Sequence, residues 1–204
     1  MTRTVATHPG RQALSLRRRP MRRPLAVTAL GVALVGVGGV AAPASATAVP
    51  AAFATVESCT AVTATATYNP GLTPTARNQT ITLSGTLSGC TDRTGAAQPG
   101  TGTINGVLTG SSRVGAVSGR GNVTINWPAS SGLNPSTGTL GLTGPAAGNT
   151  FALSGTFTSG AYTGSLVGTT FVVARTTGSG TNRRPVTGHG FTNTLPLTVR
   201  QNLG

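Results

Sequence analysis

The amino-acid sequence predicts an all-β fold, and two features of the chain lead to that prediction. The first is period-two alternation, because apolar and polar residues alternate through residues 62–68, 81–88 and 122–127. Successive side chains of a strand point to opposite faces, so each segment presents one apolar and one polar face. The second is the recurrence of Gly, Pro and Asn turn signals between such segments. Such strands indicate a β-sandwich or a barrel. We favour a single antiparallel β-sandwich, Ig-like or related, whose sheets each have one solvated side, and keep the barrel as the alternative.

The rest of the chain extends this pattern, and no segment shows the 3.6-residue apolar repeat of an amphipathic helix. Residues 176–190 concentrate Gly, Asn, Arg and Pro with little to bury, so we predict a mobile segment there. Further strands are predicted at residues 102–109, 114–119, 137–143, 150–157, 162–175 and 193–200.

Residues 1–46 have the three parts of a secretory signal peptide. A cluster of arginines precedes the apolar residues 25–40, and Ala44-Ser45-Ala46 supplies the small-residue cleavage site. Glycines interrupt the apolar stretch, which is shorter than the ~20 residues that a membrane-spanning helix needs. We expect translation to start at Met1 or Met21, followed by cleavage, secretion and no retained membrane span.

Cleavage before Thr47 leaves 158 residues, the length of one domain. Within it, residues 47–58 are Ala-rich and are predicted to be a flexible N-terminal segment, and residues 59–204 form the β domain. Both cysteines, Cys59 and Cys90, lie in the exported part, and an even number of cysteines in an oxidising compartment predicts one disulfide. Closing this loop stabilises the domain by about 3.5–4 kcal/mol through the entropy of the unfolded chain.

The exported part carries eight arginines, no lysine and two acidic residues, a net formal charge of +6. The arginines are scattered along the chain, without the interleaved aromatics of a dedicated nucleic-acid site. We expect weak attraction to anionic polymers instead. The arginines expected to gather on one face are Arg113, Arg120, Arg175, Arg183 and Arg184.

Groups for acid–base catalysis are scarce. Glu57 and Asp92 are the only carboxylate side chains, and hydrolysis by this pair would require them to face each other across a sugar. His189 lies between two glycines in a segment that looks like an exposed loop. Such a set supplies neither a conventional zinc site nor a convincing triad, so we predict no catalytic residues, no metal and no cofactor.

Binding is the better class of function. Trp127, Tyr68 and Tyr162 lie at predicted strand ends, where exposed rings would stack on sugars and buried rings would pack in the core. The alternating threonines of residues 63–67 would form a regular hydroxyl face only if several such runs lay in register. The β-propensity of Thr on a solvated face explains a single run without any function.

Three stretches carry a resemblance: YNPGLT at residues 68–73, SGTLSGC at residues 84–90 and VTINW at residues 123–127. Together they resemble the small secreted actinomycete proteins of unassigned function. That resemblance implies export and a β domain and brings no catalytic residues. The composition is also similar to that of the enediyne-carrier apoproteins, although their second disulfide has no counterpart in this sequence.

These observations predict a secreted, non-catalytic binding or structural protein with weak affinity for anionic or polysaccharide polymers of the cell envelope. The alternative is a small-ligand carrier of the Ig-like apoprotein type, and a hydrolase is the less favoured third class. The sequence makes no prediction about the oligomeric state.

Overall fold

One antiparallel sheet accounts for all the strands in the computed structural model, which describes residues 52–95, 97–145 and 149–203. From the first strand to the eighth, consecutive strands are neighbours in the sheet, as in an up-and-down meander. A short 3₁₀ turn, Ala129–Ser131, lies between the fourth and fifth strands. The strands of the described residues are β1 (Phe53–Leu72), β2 (Arg77–Asp92), β3 (Gly100–Ser112), β4 (Ser118–Asn126), β5 (Ser136–Thr143), β6 (Thr150–Ser159), β7 (Leu166–Thr177), β8 (Val186–Asn193) and β9 (Leu197–Asn202).

The sheet closes into a barrel because β1 is paired along both of its edges. One edge pairs with β2, and the other pairs with β8 and β9. The all-β prediction is confirmed, but the predicted sandwich is wrong. Strands with one buried and one solvated face suit both architectures, so the alternation alone did not distinguish a sandwich from a barrel.

Strands β8 and β9 together fill the eighth position of the barrel. Both strands run antiparallel to β1 and to β7. Strand β8 pairs with the part of β1 and β7 near one end of the barrel, and β9 pairs with the part near the other end. The chain between them leaves the ladder at residues 194–196. Thr169 Oγ1 donates a hydrogen bond to the carbonyl of Leu195, which fixes this break against β7. The barrel therefore has eight strand positions, about the smallest interior that side chains can fill.

Large apolar side chains fill the barrel. On β1 the buried residues Val62, Ala64 and Ala66 alternate with exposed threonines. The small Ala64 is the register partner of the fully buried Phe191, so a small residue on one strand makes room for a large one on the next. Three phenylalanines are among the largest fully buried side chains, namely Phe157, Phe171 and Phe191.

Hydroxyl-bearing side chains cover the outer surface in rows. The exposed threonines of β1 are register partners of hydroxyl residues on β2, and Thr86 continues one row to Thr103 on β3. The threonine run of β1 therefore lies in register with one hydroxyl run on β2, whereas on β3 the partners of Ser84 and Thr82 are Asn105 and Val107. Cross-strand Thr and Ser pairs stabilise a solvated sheet face. The first three pairs are Thr63 with Thr86, Thr65 with Ser84 and Thr67 with Thr82.

Glycines inside the strands let the barrel backbone curve closely. Gly106 lies between Leu83 on β2 and Val123 on β4. A Cβ atom at Gly106 would lie 2.7 Å from Val123 Cγ2 and 2.8 Å from the Asn122 carbonyl oxygen. Glycine is needed at this position because the neighbouring strand occupies the space of a side chain.

The predicted disulfide is present. Cys59 and Cys90 are directly opposed on β1 and β2, both are buried, and their Cα atoms are 3.9 Å apart. The bridge reinforces a strand pair that begins the barrel.

The boundaries of several segments differ from those expected. The expected signal peptide, residues 1–46, lies outside the described residues, whereas residues 53–58 of the expected flexible segment belong to β1. Residues 114–117 form a turn instead of a strand, and the expected mobile segment, residues 176–190, contains the end of β7, a loop at residues 178–185 and most of β8. Among the described residues there is no helix long and apolar enough to cross a membrane.

Candidate functional site

The two ends of the barrel differ in charge. One end, which we call the arginine end, is where the β1–β2, β3–β4, β5–β6 and β7–β8 connections leave their strands. The opposite end, which we call the carboxylate end, is where the β2–β3, β4–β5 and β6–β7 connections leave their strands. Glu57 and Asp92 are register partners beside the carboxylate end. The two acidic side chains of the whole sequence are therefore separated along the barrel from the arginine end.

Most arginines of the domain lie at or near the arginine end. Two of them, Arg183 and Arg184, are exposed in the loop between β7 and β8. Arg77 donates a 2.8 Å hydrogen bond from Nη2 to Thr73 Oγ1, which holds its guanidinium against the β1–β2 connection. Arg93 and Arg200 lie towards the carboxylate end. The exposed arginines near the arginine end are Arg77, Arg113, Arg120, Arg175, Arg183 and Arg184.

The arginine end also contains a cavity of about 330 Å³. Its walls come from the β3–β4 turn, the β5–β6 connection, the strands β6, β7 and β8, and the β7–β8 loop, and apolar atoms supply only slightly more of the exposed wall than polar atoms do. Val114 in this wall is 38% exposed, so the cavity reaches the solvent. The apolar lining side chains are Val114, Val117, Pro145, Phe151, Val173 and Val186.

His189 is the titratable side chain that lines this cavity. It lies in β8, where it is the register partner of Ala66, and it is not in the exposed loop that its flanking glycines suggested. The ring of Phe151 lies 5.4 Å from the His189 ring, measured between centroids, and the ring of Phe191 lies 5.9 Å away. The Tyr68 hydroxyl and His189 Nδ1 are 2.8 Å apart and form a hydrogen bond.

This packing determines the charge of the imidazole. Burial among aromatic rings lowers the pKa of His189 below its usual value, because a protonated ring would be poorly solvated there. The same burial raises the pKa of the Tyr68 phenol. Near neutral pH the pair is therefore uncharged. When the Tyr68 hydroxyl donates to Nδ1, the His189 Nε2 carries the proton and is the group that can donate to an acceptor.

The β7–β8 loop is ordered by its own hydrogen bonds and lies against the rim of the cavity. Arg184 donates from its backbone N–H to Thr181 Oγ1 over 3.0 Å, and its carbonyl accepts from the Thr181 N–H over 3.1 Å. Gly180, with φ of 75°, lies so close to Val114 of the β3–β4 turn that a Cβ atom would be 3.0 Å from its Cγ2 atom. The loop thus contacts a turn from the far side of the barrel mouth.

The carboxylate end has a different chemistry. Glu57 is fully buried, and its Oε2 accepts a 2.9 Å hydrogen bond from the Tyr162 hydroxyl. Burial raises the pKa of Glu57 to about 7, with a smaller contribution from the nearby charge of Asp92 and an opposing one from the Tyr162 hydrogen bond. The Asp92 Oδ1 atom accepts from the backbone N–H and the hydroxyl of Thr94, at 2.7 and 2.6 Å.

These carboxyl groups do not form a hydrolytic site. Both are buried, and neither lines any of the main cavities of the described residues. A sugar therefore has no space between them. Glu57 also lies near Cys59 and Cys90, with all three potential ligand atoms within 4.8 Å. The disulfide removes both thiolates, so this group does not provide a zinc site.

The three candidate aromatic binding residues, Trp127, Tyr68 and Tyr162, are all buried, which favours core packing over sugar stacking. Trp127 donates from Nε1 to Ser136 Oγ over 3.1 Å and packs edge-on against Tyr162, with ring centroids 5.6 Å apart. Tyr68 is enclosed with His189 inside the barrel. Trp127, the most favoured of the three, is only 7% exposed. Each ring has a polar partner for its N–H or O–H group, as buried Trp and Tyr require.

Sequence reasoning missed two features of the interior. The cavity was missed because its lining combines residues from three connections and three strands that are far apart in the sequence. Gln79, buried on β2, was missed because an amide in an alternating strand gives no distinct signal. Neither its Oε1 nor its Nε2 has a hydrogen-bond partner among the described residues.

Comparison with family models, with curated proteins and with solved structures finds no match to this chain. Its class is therefore defined by fold and site alone. It is an eight-position up-and-down β-barrel with one disulfide and an arginine-rich end that contains a cavity with both apolar and polar walls.

Proposed function

We propose that this chain is a secreted, non-catalytic binding protein whose arginine end binds anionic polymers of the cell envelope. The observation that supports the proposal best is the separation of charge along the barrel. Six exposed arginines lie near one end, and both acidic side chains lie beside the other, where they are buried. An anionic chain approaching the arginine end meets no carboxylate side chain.

Gathering the arginines matters because salt screens exposed charges over about 8 Å at physiological ionic strength. Charges scattered around a protein act singly under these conditions, whereas charges on neighbouring turns act together on the same segment of polymer. Exposed ion pairs contribute only about 0.2–1 kcal/mol each. The binding is therefore weak for each arginine, additive over several, and sensitive to salt.

The outer wall of the barrel adds hydrogen-bonding groups but no stacking platform. The hydroxyl rows on β1, β2 and β3 can bind polysaccharide hydroxyl groups, but Trp127, Tyr68 and Tyr162 are buried. Neutral sugars lack the aromatic contacts that usually hold them, so charge supplies most of the proposed affinity.

Retention of the purified protein on isolated cell wall across a salt series tests this proposal. The informative variant is R183Q/R184Q, which removes two charges from the arginine end, and R93Q/R200Q is the matched control, which removes two from elsewhere. We expect the first to weaken binding about 2- to 30-fold, from two exposed charge contacts, and the second to change it much less. Equal losses in the two variants, or retention that ignores salt, would contradict the proposal.

A further inference from the structure

We propose that the cavity at the arginine end binds a small amphipathic anion, a ring system or short hydrocarbon body that carries one acidic group. This inference does not depend on binding of an envelope polymer, because the ligand occupies the interior of the barrel mouth. The cavity, about 330 Å³, lies at the lower end of the range for small-molecule sites.

The apolar part of the wall favours a ligand with an apolar body. Phe151, Val117 and Val186 are buried side chains that line the cavity, and Val114 and Val173 add further hydrocarbon from the β3–β4 turn and from β7. Covering such surface from water is favourable by about 25 cal/mol per Å². A wholly polar ligand would gain none of this and would lose its hydration.

The rim selects for a negative charge. Arg113 directly precedes Val114 of the lining, Arg175 lies in β7 between the lining residues Val173 and Thr176, and the β7–β8 loop carries two more arginines. Neither acidic side chain of the sequence lies at this end. An acidic group left at the mouth while the apolar body enters is thus stabilised by several guanidinium groups.

One polar group inside the cavity can orient the ligand. His189 lines the cavity, and its Nδ1 is already engaged by the Tyr68 hydroxyl. Its Nε2 makes no hydrogen bond within the described part of the chain and is the free polar atom of the imidazole. Apolar walls with a few placed polar groups are the usual composition of a ligand site.

The probe for this site is 8-anilinonaphthalene-1-sulfonate, whose fluorescence rises in an apolar environment. We expect saturable binding at one probe per chain. Its neutral counterpart, N-phenyl-1-naphthylamine, has the same rings without the acid and should bind more weakly. In the R183Q/R184Q variant the affinities for the two probes should be closer to each other, because the variant removes positive charge from the rim and leaves the cavity walls intact.

The blocking variant is Thr176→Trp. Thr176 is the register partner of His189, is exposed, and lines the cavity, so an indole there fills the space above the imidazole without replacing a buried residue. Thr103→Trp places the same ring on the exposed outer face of β3 and is the matched control. We expect T176W to reduce probe affinity at least tenfold and T103W to leave it unchanged.

A second measurement keeps the test independent of how well T176W folds. His189 is the only histidine of the described residues, so its ring signals are easily assigned by NMR. Addition of the sulfonate probe to the wild-type protein should shift them. The proposal is overturned if the probe leaves the His189 signals unmoved, or if T176W folds and binds the probe as well as T103W does. T176W leaves the arginines in place, so it should still bind to cell wall even when it no longer binds the probe. Measuring both therefore distinguishes failure of the cavity proposal from failure of the polymer proposal.

Discussion

The Tyr162 hydroxyl donates a 2.9 Å hydrogen bond to Glu57 across a separation of 105 residues in the sequence. The bond links β1 to the β6–β7 connection and so ties distant strands together at the carboxylate end. Because the acceptor is a buried carboxyl group with its pKa raised to about 7, this contact also makes the stability of the barrel depend on pH.

Replacing Glu57 with Gln should remove that dependence. The pKa of Glu57 is higher in the folded chain than in the unfolded chain, so its stabilising contribution is complete below about pH 4.5 and is lost as the pH rises through about 7. At pH 8 we expect E57Q to be more stable than the wild type, by at most about 3 kcal/mol. At pH 4 the two should be nearly equal. Urea denaturation at both pH values measures the difference, and equal stability at pH 8 would contradict it.

Replacing Tyr162 with Phe should act in the opposite direction. The variant removes the hydrogen bond that favours the carboxylate, so the pKa of Glu57 should rise further and the loss of stability with rising pH should grow. NMR titration of a ¹³C-labelled Glu57 carboxyl group in the wild type and in Y162F would measure this. A fall in its pKa would show that the hydrogen bond does not act as described.

Removing the disulfide should weaken the barrel without changing its fold. The C59A/C90A variant loses the constraint on a loop of 31 residues, which corresponds to about 3.5–4 kcal/mol. For a domain of this length we expect the melting temperature to fall by about 7–16 °C. Calorimetry measures the fall, and far-UV circular dichroism at low temperature checks that the strands persist. An unchanged melting temperature would show that the bridge does not stabilise the barrel.

Replacing Gln79 with Met should stabilise the protein. The amide is buried and has no hydrogen-bond partner among the described residues, so folding removes it from water without compensation. Methionine has a similar length and adapts to irregular space. We expect a gain of about 1 kcal/mol in the free energy of unfolding. Gln98→Met is the control. Gln98 Nε2 donates a 3.1 Å hydrogen bond to the Asp92 carbonyl, so Q98M loses this bond and should not gain stability. A loss of stability in Q79M would argue against an unsatisfied amide.

The sequence predicted the strands well and the closure of the sheet poorly. Alternation fixes which face of a strand is buried, and residues 62–68 and 81–88 lie within β1 and β2 as expected. Closure depends instead on β1 pairing with β8 and β9 more than a hundred residues later. No local pattern encodes that pairing, because a half-buried strand looks the same in an open and in a closed sheet.

For the candidate site residues, too, the local sequence pattern was an incomplete guide to the structure. Glycines beside His189 suggested a loop, but they lie in β8, and Gly188 is itself buried. Trp127 at a strand end suggested exposure, but Ser136 supplies a buried partner for its indole N–H. In each case the deciding contact comes from another strand, so a pattern of neighbours along the chain could not show it. The gathering of arginines, by contrast, was expected, and the up-and-down order of the strands places Arg113, Arg183 and Arg184 at one shared end.

His189 and Glu57 should oppose each other in the pH dependence of stability. The pKa of His189 is lower in the folded chain, so its contribution is present above the unfolded value of about 6.5 and is lost as the pH falls below it. Glu57 contributes in the reverse sense over an overlapping range. The phenols of Tyr68 and Tyr162 have raised pKa values and do not titrate there. The two effects therefore partly cancel in the wild type.

Single variants should separate the two contributions. In E57Q the remaining His189 should make the urea midpoint fall as the pH drops from 7 to 5, whereas in H189Q the remaining Glu57 should make it rise over the same interval. The double variant E57Q/H189Q should show a much flatter profile, since the two groups whose shifted pKa values bear on this pH interval are gone. If the urea midpoint of the double variant changes with pH as it does in the wild type, another group is responsible for the pH dependence. If the midpoint changes with pH in the same direction in both single variants, Glu57 and His189 do not have opposed roles.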